Sequence, residues 1–527
     1  MARNMLYRGR FFLHMYQQSG YKGREFFSWI KNNLATYAVT VELLALNLVV
    51  LILATILDPL LTQTAPVLII FVFALFWCGP AKRYTKNQPK KPLVFTPRMV
   101  RLAVAFGVIS IFIPAYGTLI AIGRGILFPD IYILAVAWIL GSLLLPFILV
   151  LAGLLMYPVE KMIQQNFKRK ARNKLKAMAE LKTIAITGSY GKTSTKFFIK
   201  SILAERYNLC FTPGSFNTPM GICKVINNDL QPAHQILILE MGARYKGNID
   251  ELCRIARPDM AVLTNIGVAH LETFGSVDAI KSTKGEILNH LPDDGVAVIN
   301  ADDSNLTDMI KHRQGKTITA GLEHGEFQAS GISYDEAGCR FTVTAPDGSS
   351  ERVYTHILGS HNVQNLLLAF AVGHHFGLRL KTMALAARNI EPVEHRMELK
   401  KTDSITIIDD AFNSNPVGAR NAVETLAKFK SGRRIIITPG MVELGDQEKE
   451  ENERFGMTIG NARLDHVYLV GPTQTKPILE GIRKSGFDME KVTVVNNLFE
   501  ANKQLRENFQ AGDVVLYEND LPDVYNE

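Results

Sequence analysis

The heptapeptide Thr187-Gly188-Ser189-Tyr190-Gly191-Lys192-Thr193 lies between an apolar run, Thr183–Ile186, and a helical pattern, Ser194–Glu205. That order is strand, glycine loop, helix. Two glycines let the backbone turn its N–H groups inward, and the helix that follows adds its unpaired first-turn donors and its dipole. Lys192 is placed to reach the outer phosphates of a nucleotide, and the Thr193 hydroxyl suits Mg²⁺. The common phosphate loop has four residues between its first glycine and Gly-Lys-Ser/Thr; here only Ser189 and Tyr190 separate Gly188 from Gly191. A glycine turn with a chance lysine would leave the strand–loop–helix setting unexplained. Gly188, Ser189, Gly191, Lys192, Thr193 and Ser194 are therefore expected to hold the phosphates of ATP.

The chain has 527 residues, too many for one ordinary domain. Its net charge of +8 is unevenly spread: residues 1–176 carry about 21 basic side chains against about 5 acidic ones, so the remainder is acidic. The basic residues border apolar runs, which points to a membrane surface and not to a nucleic-acid footprint, and no nucleic-acid partner is expected. Five cysteines, at 78, 210, 223, 253 and 339, have neither metal-ligand nor redox spacing.

The first third reads as membrane. A basic, aromatic stretch, 1–34, precedes apolar runs at Thr36–Leu57, Leu61–Cys78, Leu102–Ile122 and Ile131–Met156. Each approaches the ~20 residues that a bilayer-spanning helix needs. The connection after the second run carries Lys82, Arg83, Lys86, Lys90, Lys91, Arg98 and Arg101, and the segment after the fourth carries Lys161, Lys168, Arg169, Lys170, Arg172, Lys174 and Lys176. The excess of positive charge on these two connections puts both termini on the cytoplasmic side of a bacterial-type plasma membrane. Glu42 is the carboxylate inside a run, near an end from which it reaches the interface. Lys161–Leu181 reads as a basic, partly amphipathic helix, suited either to an anionic lipid surface or to linking domains.

From Thr183 onward short β-branched runs (Ile236–Leu239, Met260–Leu263, Val296–Ile299) alternate with helical patterns such as Asn248–Ala256 and Val277–His290. This is the pattern of an α/β doubly wound sheet, whose ligands sit off the carboxyl ends of the strands. Glu240 ends one such strand, and Asn265 and His270 follow another. Glu240 is a good hard-oxygen ligand for Mg²⁺ at that place, His270 a less usual one. Residues 322–357 read as hairpins with turns at Asp335–Gly338 and Pro346–Ser350. From Ile405 a smaller strand–helix alternation follows, Rossmann-like but without a Gly-x-Gly-x-x-Gly fingerprint.

Thr187–Thr193, Gly214-Ser-Phe-Asn-Thr-Pro-Met-Gly221, Leu239-Glu-Met-Gly-Ala243, Asn265–Gly275 and Lys284-Gly-Glu-Ile287 together resemble the Mur ligase family. So do Gly359-Ser-His-Asn-Val-Gln-Asn365, Glu394-His-Arg-Met397, Asp409–Pro416 and Gly440–Gly445. Within that family the UDP-N-acetylmuramoyl-tripeptide:D-alanyl-D-alanine ligase branch is the nearest. The resemblance runs from about residue 181 to 520 and keeps the family's motif order. Beside the membrane region over 1–180, it implies a central ATP-binding domain over 181–395 and a C-terminal Rossmann-like domain over 396–527.

The resemblance also implies a reaction. ATP phosphorylates a substrate carboxylate to an acyl phosphate, and an amine displaces the phosphate to give an amide. Phosphoryl transfer asks for positioning and charge neutralisation. By resemblance, Lys192 neutralises the outer phosphates, Thr193 and Glu240 hold one Mg²⁺, and His270 holds a second. The resemblance also implies that Lys284 matches a lysine often carbamylated in this family, giving an anionic oxygen ligand near the second metal; Lys281 competes for the assignment, and the Gly-Glu-Ile that follows, as in the family, favours Lys284. Asn365 is implied to hydrogen-bond the adenine. Arg396, at a hinge over Pro392–Met397, is implied to touch the γ-phosphate on closure, and Asp410 to meet the nucleotide across the cleft. His361, Asn362, Asn413 and Asn415 are read as shaping their loops, and His374 and His375 as structural.

Relatives begin with a soluble domain that grips UDP; here membrane runs take that place, and the C-terminal stretch Leu516–Tyr525 departs from the family pattern. The reaction is therefore expected to transfer while the sugar-nucleotide substrate is not. A carboxylate substrate held at the membrane and a small amine, amino-acid or peptide acceptor are expected. The alternative is a nucleotide-driven transporter or sensor, and a third reading is a folate-type polyglutamate ligase. Transporters need polar residues inside their spans, and these runs are nearly free of charge.

Overall fold

The computed structural model describes residues 2–33, 92–123, 137–138, 140–268, 271–335, 338–392, 395–402, 404–411, 415–429, 432–442 and 444–519. The runs Thr36–Leu57 and Leu61–Cys78, with Glu42, lie outside these residues, as do most of the basic connection after them and the start of the fourth run. The chain divides into two compact units, Met1–Gln165 and Asn166–Glu527.

In the first unit the basic, aromatic N-terminal stretch forms two helices, Ala2–Gln18 and Gly23–Asn32. Their aromatic residues Phe12, Tyr16 and Phe26 pack with Met99, Leu102 and Leu149 from the helices Pro97–Gly123 and Leu145–Lys176. Arg101 and Glu160 join the two long helices through a two-point ion pair of 2.6 and 2.9 Å. Pro97–Gly123 spans 27 residues, about 40 Å at ~1.5 Å per residue, against a hydrocarbon core of ~30 Å. Val104, Val108, Ile111, Phe112, Tyr116 and Leu119 share one face of it, each more than half exposed. Two helices among the described residues are long and apolar enough to cross a bilayer by length and composition.

The end of the fourth run and the basic stretch that follows share one helix, Leu145–Lys176, which runs through Pro158. Proline there forfeits a single i→i−4 bond. In the second unit the last turns of this helix dock on protein. Ala171 is fully buried, Lys168 Nζ meets Glu251 at 2.5 Å, and Lys174 Nζ donates to the Asn227 carbonyl at 3.2 Å.

The second unit holds two sheets. The first has nine strands: β1 (Lys182–Thr187), β2 (Leu209–Phe211), β3 (Ile236–Glu240), β4 (Met260–Leu263), β5 (Val296–Asn300), β6 (Thr317–Gly321), β7 (Phe327–Asp335), β8 (Gly338–Thr344) and β9 (Ser350–Thr355). Their order is β2-β3-β1-β4-β5-β6-β7-β8-β9, parallel from β2 to β7 and antiparallel through the expected hairpins β7-β8-β9. Alternation along β1 sends Ile184 and Ile186 to one layer, with Phe198, Ile202 and Leu366, and Ala185 to the other, with Leu239, Ile222 and Leu252. A strand buried on both faces reads as a continuous apolar run, as this one does.

The second sheet comprises β10 (Glu398–Lys401), β11 (Thr406–Asp410), β12 (Arg434–Thr438), β13 (His466–Val470), β14 (Val492–Val495) and β15 (Val514–Glu518), in the order β10-β11-β15-β12-β13-β14. All but β10 run parallel. Two helix limits differ from the periodicity. The helix after the phosphate loop begins at Lys192, so Lys192 and Thr193 form its first turn. The helix expected over Val277–His290 ends at Gly285, a weak helix former, and resumes as a 3₁₀ turn at Leu288–His290.

Candidate active site

The site is built where β1 lies between β3 and β4, with Ile186 opposite Glu240 and Thr187 opposite Leu263. The carboxyl ends of all three strands therefore open on one place. The loop after β1 needs both its glycines. Gly188 has φ +151°, and a Cβ there would stand 1.9 Å from Thr264 Oγ1; Gly191 has φ +76°, the left-handed region. The segment after β4 clamps the loop. Ser189 N–H donates to the Asn265 carbonyl at 2.9 Å and Tyr190 N–H to Asn265 Oδ1 at 2.8 Å, while Ser189 Oγ exchanges hydrogen bonds with the Gly267 backbone at 2.8 and 3.0 Å. Ser189 thus acts as a strut. The helix carries no side-chain cap at Gly191, which leaves the first-turn N–H groups of Lys192, Thr193 and Ser194 as donors that could take an anion.

Lys192 folds back over the loop, donating to the carbonyls of Gly188 at 2.8 Å and Ser189 at 3.0 Å. Burial lowers its pKa to about 8, opposed by Glu240 and helped by Arg396. Thr193 and Ser194 are buried beside it.

Glu240, at the end of β3, is almost fully buried. Its Oε2 accepts from Lys196 Nζ at 3.1 Å and its Oε1 from Asn217 Nδ2 at 3.0 Å. Burial alone would raise its pKa; Lys196, Lys192 and the Asn217 hydrogen bond outweigh that and hold the carboxyl below its ordinary value. Glu240 is therefore an ionised hard-oxygen donor next to the Thr193 hydroxyl's helix, a donor set that fits Mg²⁺.

Lys284 is 3% exposed. Its Nζ has no hydrogen bond or ion pair to a described residue, and burial, then Lys192, push its pKa well below the ordinary lysine value. Lys281 is instead taken by an ion pair with Asp308 on the surface. Glu286 is engaged in capping, accepting from Gly247 N–H and Asp250 N–H at 2.9 Å each.

The second sheet brings Arg396 to the same place. It lies within electrostatic reach of Glu240 and Asp410, and it lowers the pKa values of Lys192, Lys196 and His361. Its neighbours His395 and Met397 have φ of +59° and +52°, costly for residues with a Cβ. Both are anchored to the end of β11: His395 Nδ1 meets Asp409 Oδ2 at 2.8 Å, and Met397 N–H donates to Asp410 Oδ1 at 3.1 Å. Burial raises the Asp410 pKa to about 6 against the pull of Arg396. His395, Glu398 and Asp409 converge closely enough to hold a cation, and Lys400 already bridges the two carboxylates at 3.1 and 2.6 Å.

Asn365, 4% exposed on the helix Ser360–His375, sits against Gly191 of the loop. On the same helix His361 Nδ1 is buried without a hydrogen-bond partner among the described residues, and burial with Arg396 lowers its pKa to about 4. Asn415 caps the helix Pro416–Ala427 by accepting from Gly418 N–H at 2.9 Å. His270, Glu394 and Asn413 lie outside the described residues. Sequence reasoning missed Lys196 and Asn217 as parts of the site. A signal existed for Lys196, which lies four residues after Lys192 and so on the same helix face.

The pattern of the Mur ligase middle domain matches residues 186–373, and that of the Mur ligase glutamate ligase domain matches residues 395–517. The chain is 33% identical over 338 residues to the UDP-N-acetylmuramoyl-tripeptide–D-alanyl-D-alanine ligase of Bacillus subtilis (strain 168), covering 64% of this chain and 72% of that one. It is 35% identical over 358 residues to the ligase of the same name from Mycobacterium tuberculosis (strain H37Rv), covering 64% and 70%. Among solved structures, it is similar to the MurF ligase of Thermotoga maritima in complex with ADP, with a TM-score of 0.62, 29% identity and coverage of 69% of this chain and 81% of that one. MurF from Acinetobacter baumannii superposes with a TM-score of 0.62 at 27% identity, over 68% and 77% of the two chains.

Proposed function

The chain belongs to the Mur ligase family of ATP-dependent, ADP-forming amide ligases, and from that premise we propose that it works at the bacterial plasma membrane, joining a membrane-associated carboxylate substrate to a small amine, amino-acid or peptide acceptor in building peptidoglycan or a related peptide polymer. The observation that carries this reading is that Arg396, just before the second sheet, lies within electrostatic reach of Lys192 and Glu240 at the phosphate loop. Charges from two domains converge where a transferring phosphoryl group would be neutralised.

The roles follow from position. Lys192 and the first-turn N–H groups hold the phosphates, Asn365 borders the nucleotide, and Arg396 with Asp410 closes over it. Thr193 and Glu240 would hold Mg²⁺, with His270 and a carbamylated Lys284 at a second ion; such ions supply charge neutralisation for phosphoryl transfer. A buried lysine with a depressed pKa presents the neutral amine that CO₂ requires, which supports Lys284 over Lys281. The terminal phosphoryl of ATP passes to the substrate carboxylate; the acceptor amine then attacks that carbonyl carbon and phosphate leaves. Membership of a ligase family displaces the alternative of a transporter or sensor.

Anchoring is supported by the exposed apolar faces of the first unit, Val104 to Leu119 on one helix and Phe147, Leu151, Leu154 and Leu155 on the other. Contiguous apolar surface of this kind marks a membrane or a partner. The relatives' names supply the first substrates to try, UDP-N-acetylmuramoyl-tripeptide and D-alanyl-D-alanine.

The test uses the detergent-solubilised full chain with ATP and Mg²⁺. Phosphate release and new amides, read by mass spectrometry, are followed with the UDP-linked tripeptide and with lipid extracts of bacterial membranes, each with D-alanyl-D-alanine or single amino acids. Phosphate release matched by a lipid-linked amide supports the full proposal. An amide formed only on the UDP-linked substrate keeps the ligase and removes the membrane-borne substrate. Release of the chain from membranes by alkaline carbonate would remove the anchor.

A further inference from the structure

The metal ligand expected at the end of β3 is not presented to the site as an open carboxylate. Lys196 and Glu240 have side chains 0% and 1% exposed and form an ion pair of 3.1 Å through Oε2. Asn217 Nδ2 holds the other oxygen, Oε1, at 3.0 Å. Neither donor is loose. Lys196 Nζ also donates to the Gly214 carbonyl, and the Asn217 carbonyl accepts from Gly242 N–H at 3.0 Å. Lys196 is carried on the second turn of the helix Lys192–Leu203, while Gly214 and Asn217 belong to the loop between β2 and the helix Pro219–Lys224. The carboxylate is gripped from both sides by elements that the core holds in place.

We propose that Lys196 and Asn217 are specificity-determining residues for the divalent ion: they keep Glu240 a one-oxygen ligand and so select Mg²⁺ over Ca²⁺. This rests on the reading of Glu240 as a Mg²⁺ ligand. A cation spanning both oxygens would stand against the Lys196 ammonium, cation facing cation, and would compete with the Asn217 amide. A cation that needs one oxygen avoids that conflict. Mg²⁺ is small, octahedral and keeps most of its waters, so one protein oxygen serves it; Ca²⁺ takes more ligands and commonly chelates a carboxylate through both oxygens. Both ions carry the same charge. Removing the lysine's charge therefore shifts affinity for the two alike, and the ratio of affinities reports the coordination mode.

The test measures ADP binding to the solubilised full chain by calorimetry, in EDTA, in Mg²⁺ and in Ca²⁺, for wild type, Lys196→Met and Asn217→Ala. In wild type, Mg²⁺ strengthens ADP binding more than Ca²⁺ does. Lys196→Met is expected to shrink that Mg²⁺:Ca²⁺ preference by about tenfold or more, through stronger Ca²⁺-supported binding, each affinity being taken relative to the same variant's own in EDTA. Asn217→Ala, at a half-buried loop position, shifts the ratio the same way by a smaller factor and decides the matter if the lysine variant does not fold. An unchanged ratio in the folded variants overturns the proposal. An equal loss of ADP affinity in EDTA also overturns it, making Lys196 a phosphate contact. If no divalent ion alters ADP binding in wild type, the metal-site reading itself fails, which is a separate result.

Discussion

The side-chain amide of Asn365 occupies the space beside the Gly191 α-carbon: a Cβ built there would stand 2.6 Å from Asn365 Oδ1. Helix Ser360–His375 thus completes the wall of a loop formed far earlier in the chain. Gly191→Ala adds a Cβ both to a left-handed residue, φ +76°, and into that contact. Strain of about 1 kcal/mol at the residue, with the displaced amide, is expected to weaken ADP binding about tenfold. Titration calorimetry reads it. In the double variant with Asn365→Ala the losses should not add, because the two residues share one contact.

Lys192 has its pKa lowered to about 8, chiefly by burial. A depressed lysine is fully charged below that value and neutral above it. ADP affinity in EDTA should therefore be flat below pH 7 and weaken as the pH rises through 8. Lys192→Ala should abolish that dependence and cut phosphate release by about a hundredfold or more. Full turnover in this variant would remove the phosphate-loop reading.

Lys284 and Lys281 are three residues apart and behave as different chemical species, one buried with a depressed pKa and the other paired with Asp308. Lys284→Ala should inactivate the enzyme and recover in part with added acetate or formate, which replace an anionic oxygen. Lys281→Ala, losing only a solvent-screened surface ion pair, should keep activity within about twofold. Carbon-13 NMR in labelled bicarbonate should show a carbamate signal that Lys284→Ala removes, and an unchanged signal would exclude this lysine.

Asp410 has its pKa raised to about 6 by burial, in spite of Arg396. Its folded form binds a proton more tightly than its unfolded form does. Stability is thus lost as pH rises from near 4 to about 6 and stays lost above, by at most about 3 kcal/mol. Asp410→Asn, which imitates the protonated acid, should raise the melting temperature at pH 7.5 relative to wild type and change it little at pH 4. An equal effect at both pH values would show that the aspartate is not held protonated.

Local signals carried most of the fold. β1 was readable because both its faces are buried, making Thr183–Ile186 an unbroken apolar run, and the hairpins β7-β8-β9 were readable from their polar turns. The apolar run Ile131–Met156 and the basic stretch Lys161–Leu181 read as separate segments because their compositions differ, whereas the backbone runs through both as the helix Leu145–Lys176, with Pro158 costing it one hydrogen bond. Within the candidate site, the motifs single out Thr193, Glu240, Lys284 and Asn365. Lys196 was passed over because a lysine on a helix is ordinarily solvated, and nothing local marks this one as buried.

The sequence by itself determined the phosphate loop, the strand ends that surround it and the family. These depend on neighbours in the chain: glycines where φ is positive, a helix start after them, an acid closing an apolar run. Only the tertiary structure decided which charges meet. Lys196 and Glu240 are 44 residues apart and pair because adjacent elements of one sheet layer bring them together. Arg396 reaches Lys192 and Glu240 because the end of β11 holds the strained residues on either side of it. Burial separates Lys284 from Lys281, and burial is a property of packing, since desolvation depends on every surface that closes over a group and not on the residues beside it in the chain.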